Sequence, residues 1–390
     1  MQKRAYRYRF YPTDEQAKNL AQTFGCTRFV YNWALHKRKR AYFDRRVKLS
    51  TKDLSAAITA LKKEEGTAWL KDVSSVPLQQ ALRHLDTAYT NFFEGRTGYP
   101  TFKKKHHEQS ATYTDNAFTF KGDTLTLAKH KEPLPIVWSR PLPKGAKPSS
   151  VTITKDKTDR YFVSILVEEN RGILPMVEKT VGVDLGLKSY LVTSDGEVLD
   201  NPKYYRRDEK KLARAQRKHA KKKKGSKNRD KARKKVARVH VRIADTRRDF
   251  QHKVSTKLVR ENQVICLEDL HVKGMLKNHC LAKSISDVGW SELGRQIEYK
   301  ARWYGRTVVR INRFEPSSKT CHDCGYVLDT LTLDVRAWAC PECGVQHDRD
   351  SNAAKNIEAV GLTVLACGQG VRRGRVKAPH AVLVEAGSSL

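Results

Sequence analysis

The chain has 390 residues, 39% apolar and 30% charged, which is enough for two or three domains each burying its own core. Lysine and arginine number 76 against 42 aspartates and glutamates, a formal net charge of +34. So large an excess points to a polyanionic partner, nucleic acid above all, because each neutralised phosphate releases counterions. No stretch approaches the roughly 18 uninterrupted apolar residues of a membrane span. The opening segment, MQKRAYRYRFYP, lacks the apolar run of a secretion signal, so a cytoplasmic location with reduced cysteines is expected.

Residues 3–11 alternate basic and bulky side chains, a strand period that Pro12 stops. Thr13-Asp14-Glu15-Gln16 then reads as a helix start with an N-cap and an acidic first turn. Helical spacing persists to about Phe93, placing Phe29, Val30 and Trp33 on one face and repeating Leu78, Leu82, Leu85, Tyr89 and Phe92 at three- and four-residue steps. Beyond Pro100 the period returns to two. One hairpin is expected around Gly122-Asp123 and another around Asp159-Arg160. A β domain (1–12 and 95–170) with a helical domain inserted into it (13–94) follows, and residues 168–179 read as a linker.

The second half opens on a short apolar strand, Thr180 to Gly186, with a hairpin partner at Tyr190–Thr193 and a turn at Asp195-Gly196. Residues 201–250 read as long, helical and very basic, with 22 Lys or Arg against 5 Asp or Glu, a local net of +17. A buried strand is expected over Val264–Glu268, a helix over Trp290–Tyr304 and a strand over Thr307–Ile311. After Leu365 no period is visible, and the tail, 363–390, is expected to be disordered.

Cys321-His322-Asp323-Cys324 and Cys340-Pro341-Glu342-Cys343 form paired C-x2-C knuckles fifteen residues apart. Four thiolates at this spacing converge on one tetrahedral Zn²⁺, so Cys321, Cys324, Cys340 and Cys343 are expected to form a closed, structural zinc ribbon. Gly325 and Gly344 follow each knuckle, where positive φ or close backbone approach is needed. His322 and His347 are read as facing solvent or nucleic acid, and Cys26, Cys266, Cys280 and Cys367 as ordinary thiols.

Three acidic residues stand at element ends: Asp184 after one apolar strand, Glu268 after another, and Asp350 at the start of a helix. Converging carboxylates of this kind hold two hard cations, Mg²⁺ or Mn²⁺, about 4 Å apart and clamp the oxygens of a phosphodiester during hydrolysis. Read singly, each also has a plain structural role: Asp350 as a helix cap, Asp184 as a turn residue, Glu268 as an ion-pair partner. Their order, strand Asp, later strand Glu, final helix Asp, is the layout of RNase H-like nucleases.

Several stretches carry a closer resemblance. In the second half they are Val183-Asp184-Leu185-Gly186, Leu267-Glu268-Asp269-Leu270, Ser284-Ile285-Ser286-Asp287 through Trp290, Pro316-Ser317-Ser318, both knuckles, and His347 through Ala354. In the first half they are Phe29-Val30-Tyr31-Asn32 and Ala88 through Phe93. Together they resemble the TnpB family, transposon-encoded RNA-guided nucleases related to type V CRISPR effectors, over residues 1–360.

The resemblance implies a multidomain α/β and β fold. A wedge-like β-barrel domain (1–12, 95–170) with a helical recognition domain (13–94) would precede a RuvC, RNase H-like nuclease domain (171–316, 348–362) that carries the zinc ribbon (317–347). It implies cleavage of double-stranded DNA chosen by a guide RNA from the transposon end, next to a short flanking motif. Asp184, Glu268 and Asp350 match the catalytic positions, with Asp348 as the alternative to Asp350. A guide RNA–DNA heteroduplex is held by its backbone, which suits the basic block and Lys221, Lys222, Lys223 and Lys224. Lys52, Gln79, Gln80, Thr112 and Tyr113 are expected as contacts to the flanking motif. Two other functions fit parts of the pattern: an RNA-guided repressor that binds without cutting, and a zinc-ribbon transposase that joins strands.

Overall fold

In the computed structural model, which describes residues 2–169, 172–332 and 334–367, the opening alternation forms strand β1 (Gln2–Phe10). Tyr6, Tyr8 and Phe10 face inward, while the guanidinium groups of Arg7 and Arg9 lie 4.0 and 5.0 Å from the Phe162 ring on the other face. Thr13 caps α1 (Asp14–Arg45) through a reciprocal box: its hydroxyl accepts from the Gln16 N–H, and Gln16 Oε1 accepts from the Thr13 N–H. This helix serves two cores. Leu20 and Phe24 pack with the sheet, whereas Val30, Ala34 and Leu35 join α2 (Thr51–Leu61) and α3 (Ser75–Phe93) in a separate helical core.

The chain then returns through β2 (Gln109–Thr114), the hairpin β3 (Phe118–Lys121) and β4 (Thr124–Leu127), β5 (Ile136–Val137), β6 (Pro148–Lys155) and β7 (Tyr161–Glu169). Five strands pair antiparallel in the order β2-β6-β7-β1-β5, and the β3–β4 hairpin adds Leu125 and Leu127 to the same core. Its turn holds Gly122 at φ +58°, the left-handed region glycine enters without a Cβ clash.

These elements form one compact unit ending at residue 170, and a second begins at residue 171. The stretch expected as a linker is built into the second unit at its far end: the Leu174 N–H donates to the Tyr304 carbonyl, and that of Gln263 to the Lys179 carbonyl. The sheet of this unit contains β8 (Thr180–Asp184), β9 (Ser189–Thr193), β10 (Val198–Asp200), β11 (Val264–Glu268) and β12 (Thr307–Ile311), in the order β10-β9-β8-β11-β12. β8, β11 and β12 run parallel, and β9 is antiparallel to both of its neighbours, β8 and β10.

The basic block is helical, in two helices. α4 (Tyr204–Ala220) and α5 (Lys227–Glu261) are divided by a turn in which Gly225 takes φ +85° and the Ser226 hydroxyl accepts the Arg229 N–H as N-cap. α6 (Val272–Met275), α7 (Ala282–Val288) and α8 (Trp290–Tyr304) follow β11; β13 (Ala337–Ala339) and β14 (Gln346–Asp348) precede the last helix, α9 (Arg349–Ala366). The helix thus enters the stretch expected as tail, and residues 368–390 lie outside the described residues. Among the described residues, no helix is long and apolar enough to cross a membrane.

Strand parity assigns the faces. Val181, Val183, Ile265 and Leu267 pack with Val254, Leu258 and Val259 of α5 and Leu293, Ile297 and Ala301 of α8. The alternate residues Val264 and Cys266 pack with Ile357 of α9 on the other face. Contact there is so close that a Cβ on Gly182 would lie 2.0 Å from the Ala354 carbonyl oxygen and 2.6 Å from the Glu358 nitrogen. Both are helix backbone, so the helix itself must move. Gly182→Ala is therefore expected to cost about 1–3 kcal/mol, read as a lower melting temperature.

Candidate active site and metal centre

Parity on the α9 face continues past Gly182 and Cys266 to the last residues of their strands, Asp184 and Glu268. β8 and β11 are parallel, with Val183 opposite Leu267, so the two carboxylates end neighbouring strands on the same side of the sheet. α9 crosses that face antiparallel to β8, because Glu358 accepts the Thr180 hydroxyl and Ala354 meets Gly182. One helical turn back, about 6 Å at 1.5 Å per residue, matches two strand residues, about 6.6 Å. That arithmetic brings Asp350 level with Asp184.

The electrostatics agree with this placement. Burial pushes the Asp184 carboxyl up to about 7, helped by the negative charges of Glu268 and Asp350; the Leu185 backbone N–H and the Arg349 charge offset part of the rise. Glu268 is also held above the ordinary carboxylate range by burial, with the Ser317 hydroxyl, which donates to its Oε1 at 2.8 Å, pulling the other way. Arg336 Nη1 lies 3.2 Å from Asp350 Oδ1. Asp348 instead caps α9, its Oδ1 accepting the Ser351 N–H at 2.9 Å, so its side chain is committed to the helix end. Asp184 thus feels the charges of both Glu268 and Asp350. Among the described residues, the groups whose ligand atoms all lie within 4.8 Å are the four thiols and a set of Cys321, Asp323 and His347.

The ribbon builds each knuckle the same way. The Gly325 and Gly344 N–H groups each donate at 2.9 Å to the carbonyl of the first cysteine, from φ +78° and +75°. Sγ–Sγ separations of 3.7 Å for Cys321–Cys343 and 3.5 Å for Cys324–Cys340 lie close to the edge, about 3.8 Å, of a tetrahedron with the 2.3 Å Zn–S bond. The thiol set therefore fits zinc. His347 departs from the sequence expectation: it is buried against Trp338, with its Nε2 3.0 Å from Cys321 Sγ, because β13–β14 pairing turns it into the ribbon's small core. His322 is exposed.

Asn352 and Asn356 tie the ribbon to α9. Their amide groups donate to the Thr320 carbonyl at 2.7 and 2.6 Å, that of Asn356 also to the Ser317 carbonyl, and Asn352 Oδ1 accepts from the His322 N–H. Sequence reasoning assigned no role to these two residues. Their signal was available: two buried amides one helical turn apart on a helix otherwise packed with Ala353, Ala354 and Ile357.

The expected nucleic-acid contacts separate. Lys221, Lys222, Lys223 and Lys224 are exposed at the turn between α4 and α5, Lys52 and Gln79 are exposed and Gln80 half-buried. Tyr113 is corrected: it is 1% exposed inside the sheet core, with its hydroxyl pushed up to about 12 by burial. Thr112 is corrected too, being buried with its hydroxyl spent on Thr152 across the strand pair.

The chain has the fold of a compact Cas12 effector. The Cas12f1 chain of a cryo-EM structure with sgRNA and target DNA aligns with a TM-score of 0.57 at 14% identity, covering 89% of this chain and 83% of that one. Residues 164–279 match a family described as probable transposase, and residues 290–357 match a Cas12f1-like TNB domain. Residues 1–46 match a family described as a helix-turn-helix domain, although here they form β1 and the single helix α1. A Streptomyces pristinaespiralis protein named as an RNA-guided DNA endonuclease is 54% identical over 374 residues, 96% of this chain and 93% of its own length. An Escherichia coli K12 protein of the same name type, InsQ, is 31% identical, covering 95% of each chain. The chain belongs to the TnpB family of RNA-guided DNA endonucleases.

Proposed function

We propose that the chain cuts double-stranded DNA complementary to a guide RNA from its transposon's end, next to a short flanking motif, at an RNase H-like, RuvC-type site. The observation that carries this reading is the convergence of Asp184, Glu268 and Asp350 at two parallel strand ends and the first turn of α9. The mixed sheet, with β9 alone running against the other four strands and α9 on one face, supports an RNase H-like domain. The β core with its hairpin and the α1–α3 core support the wedge-like and recognition roles, and a cytoplasmic location fits the work.

Asp184, Glu268 and Asp350 would hold Mg²⁺ or Mn²⁺. The charge burden that burial, Glu268 and Asp350 place on Asp184 is what a hard divalent cation would relieve, and all the donors are oxygens. When bound, such cations stabilise the attacking and leaving oxygens of an in-line displacement. The chain's own part is positional. Ser317 fixes the Glu268 carboxylate, Arg336 restrains Asp350, and α9 seats Asp350 opposite Asp184. The exposed lysines at the α4–α5 turn would follow the phosphates of the heteroduplex. Zn²⁺ in the four-thiol site would be structural, since all four positions are filled by protein sulfur.

The test is purification of the protein with its RNA, sequencing of that RNA, and cleavage of DNA matching it. A transposon-end RNA with a variable 3′ segment and Mg²⁺-dependent cutting are expected. Absence of bound RNA overturns the guided reading, and target binding without product overturns the nuclease. Two aspartates should divide in the same assay. Asp350→Ala is expected to abolish cleavage, while Asp348→Ala is expected to cost about 1 kcal/mol of stability through the lost cap and leave cutting largely intact.

A further inference from the structure

A single exposed apolar side chain needs no explanation. Phe314 differs in where and how it is held. It is 85% exposed, on the loop that leaves β12. Ile311, three residues before it, pairs with Glu268 across the parallel ladder, and Ser317, three residues after it, donates to Glu268 Oε1. Both ends of the loop are therefore pinned to one of the three carboxylates.

The loop is also braced within itself. The Phe314 N–H donates to Asn312 Oδ1 at 3.2 Å, the Glu315 N–H to the Asn312 carbonyl at 3.1 Å, and the Ser317 N–H to the Glu315 carbonyl at 2.8 Å. Arg313 beside it pairs with Asp269, the residue after Glu268, at 2.6 Å. Backbone and neighbours are held by these bonds, and the ring faces outward.

We propose that Phe314 is a nucleobase-stacking subsite for the DNA strand being cut, taking an unpaired base next to the scissile phosphate. Every base has a π face, so an aromatic ring at a fixed distance from the carboxylates holds a strand without regard to its sequence, as guided cleavage requires. The strand is unpaired where it is cut, because a stacked base in a duplex offers no free face to such a ring. The high positive charge of the chain brings the phosphates in, and the ring sets which of them reaches the carboxylates. This inference rests on the carboxylate site described above.

The experiment uses the full protein with its copurified RNA and a target DNA carrying 2-aminopurine at successive positions around the cut. The wild type is expected to quench the probe at one or two positions, and Phe314→Ala to lose that quench. Cleavage efficiency should fall about tenfold in this variant, with cut positions spread over neighbouring phosphates. Phe314→Trp should restore quench, rate and cut position together. A Phe314→Ala protein with an unchanged melting temperature and wild-type quench and cut positions overturns the subsite. Asp184→Ala run in parallel separates the two readings. It is expected to keep the quench while losing cleavage, whereas cleavage retained in that variant overturns the carboxylate site instead.

Discussion

Asp184→Asn is expected to reduce DNA cleavage by at least about 10³-fold, roughly 4 kcal/mol of barrier, because it removes one of the three carboxylates proposed to hold charge-stabilising cations. The RNA-bound complex should still bind its target, so gel shift and cleavage will separate. Proton competition gives the same site a pH signature. With the Asp184 carboxyl held near 7 in the metal-free protein, cleavage at limiting Mg²⁺ should fall as pH drops from about 8 to about 6, and the midpoint should move down as Mg²⁺ is raised. Stability should move the other way. A carboxyl raised from its unfolded value of about 3.9 binds its proton more tightly in the native state, so its favourable contribution is complete below about pH 4 and lost as pH rises through about 7. Metal-free Asp184→Asn is thus expected to melt higher than the wild type at pH 8, by up to about 4 kcal/mol, and nearly level with it at about pH 4. Wild-type cleavage in this variant would remove Asp184 from the chemistry.

Loss of the zinc proposed for the ribbon is expected to be the second large effect. Two three-residue strands and a core of Cys321, Trp338 and Cys340 with a few half-buried neighbours cannot hold a fold alone. Structural zinc supplies on the order of 10–16 kcal/mol of apparent binding free energy in comparable small modules, and that energy is folding energy. A strong chelator, or Cys340→Ser, is expected to release zinc and open residues 320–347 to protease. Cleavage should fall as well, because Arg336 restrains Asp350, and Ser317, held by Asn356, restrains Glu268. Cys280→Ser, at an exposed thiol outside the ribbon, should do neither. Protease resistance and zinc content unchanged in Cys340→Ser would show that the thiols are not ligands.

Much of this was legible because the strongest signals are local. A capping box at Thr13, glycines after each knuckle, and apolar runs ending in Asp184 and Glu268 each state their geometry within a few residues. Parity alone then puts Asp184 and Glu268 on the side of the sheet that carries Gly182 and Cys266. What failed was decided by tertiary contact. Thr112 and Tyr113 are neighbours in a strand and so point to opposite faces; they could not both have met one ligand, and the core took Tyr113. His347 looked like a surface histidine until β13–β14 pairing turned it inward. The basic block read as helical because lysine favours helix, and Gly225-Ser226 carries the break between its two helices. The sequence already favoured Asp350 over Asp348; that Asp348 caps the helix is a matter of geometry, which no spacing contains.

The order in which the site's parts are synthesised has a consequence in time. Asp184 and Glu268 emerge from the ribosome well before α9, the helix that brings Asp350. At roughly 5–20 residues per second, Asp350 follows Asp184 by on the order of 10–30 s. By the time α5 is complete, the first unit and the α4–α5 hairpin have emerged, while the carboxylate cluster still lacks its third member. The order of synthesis thus leaves the nascent chain with its basic surface before it has all three carboxylates.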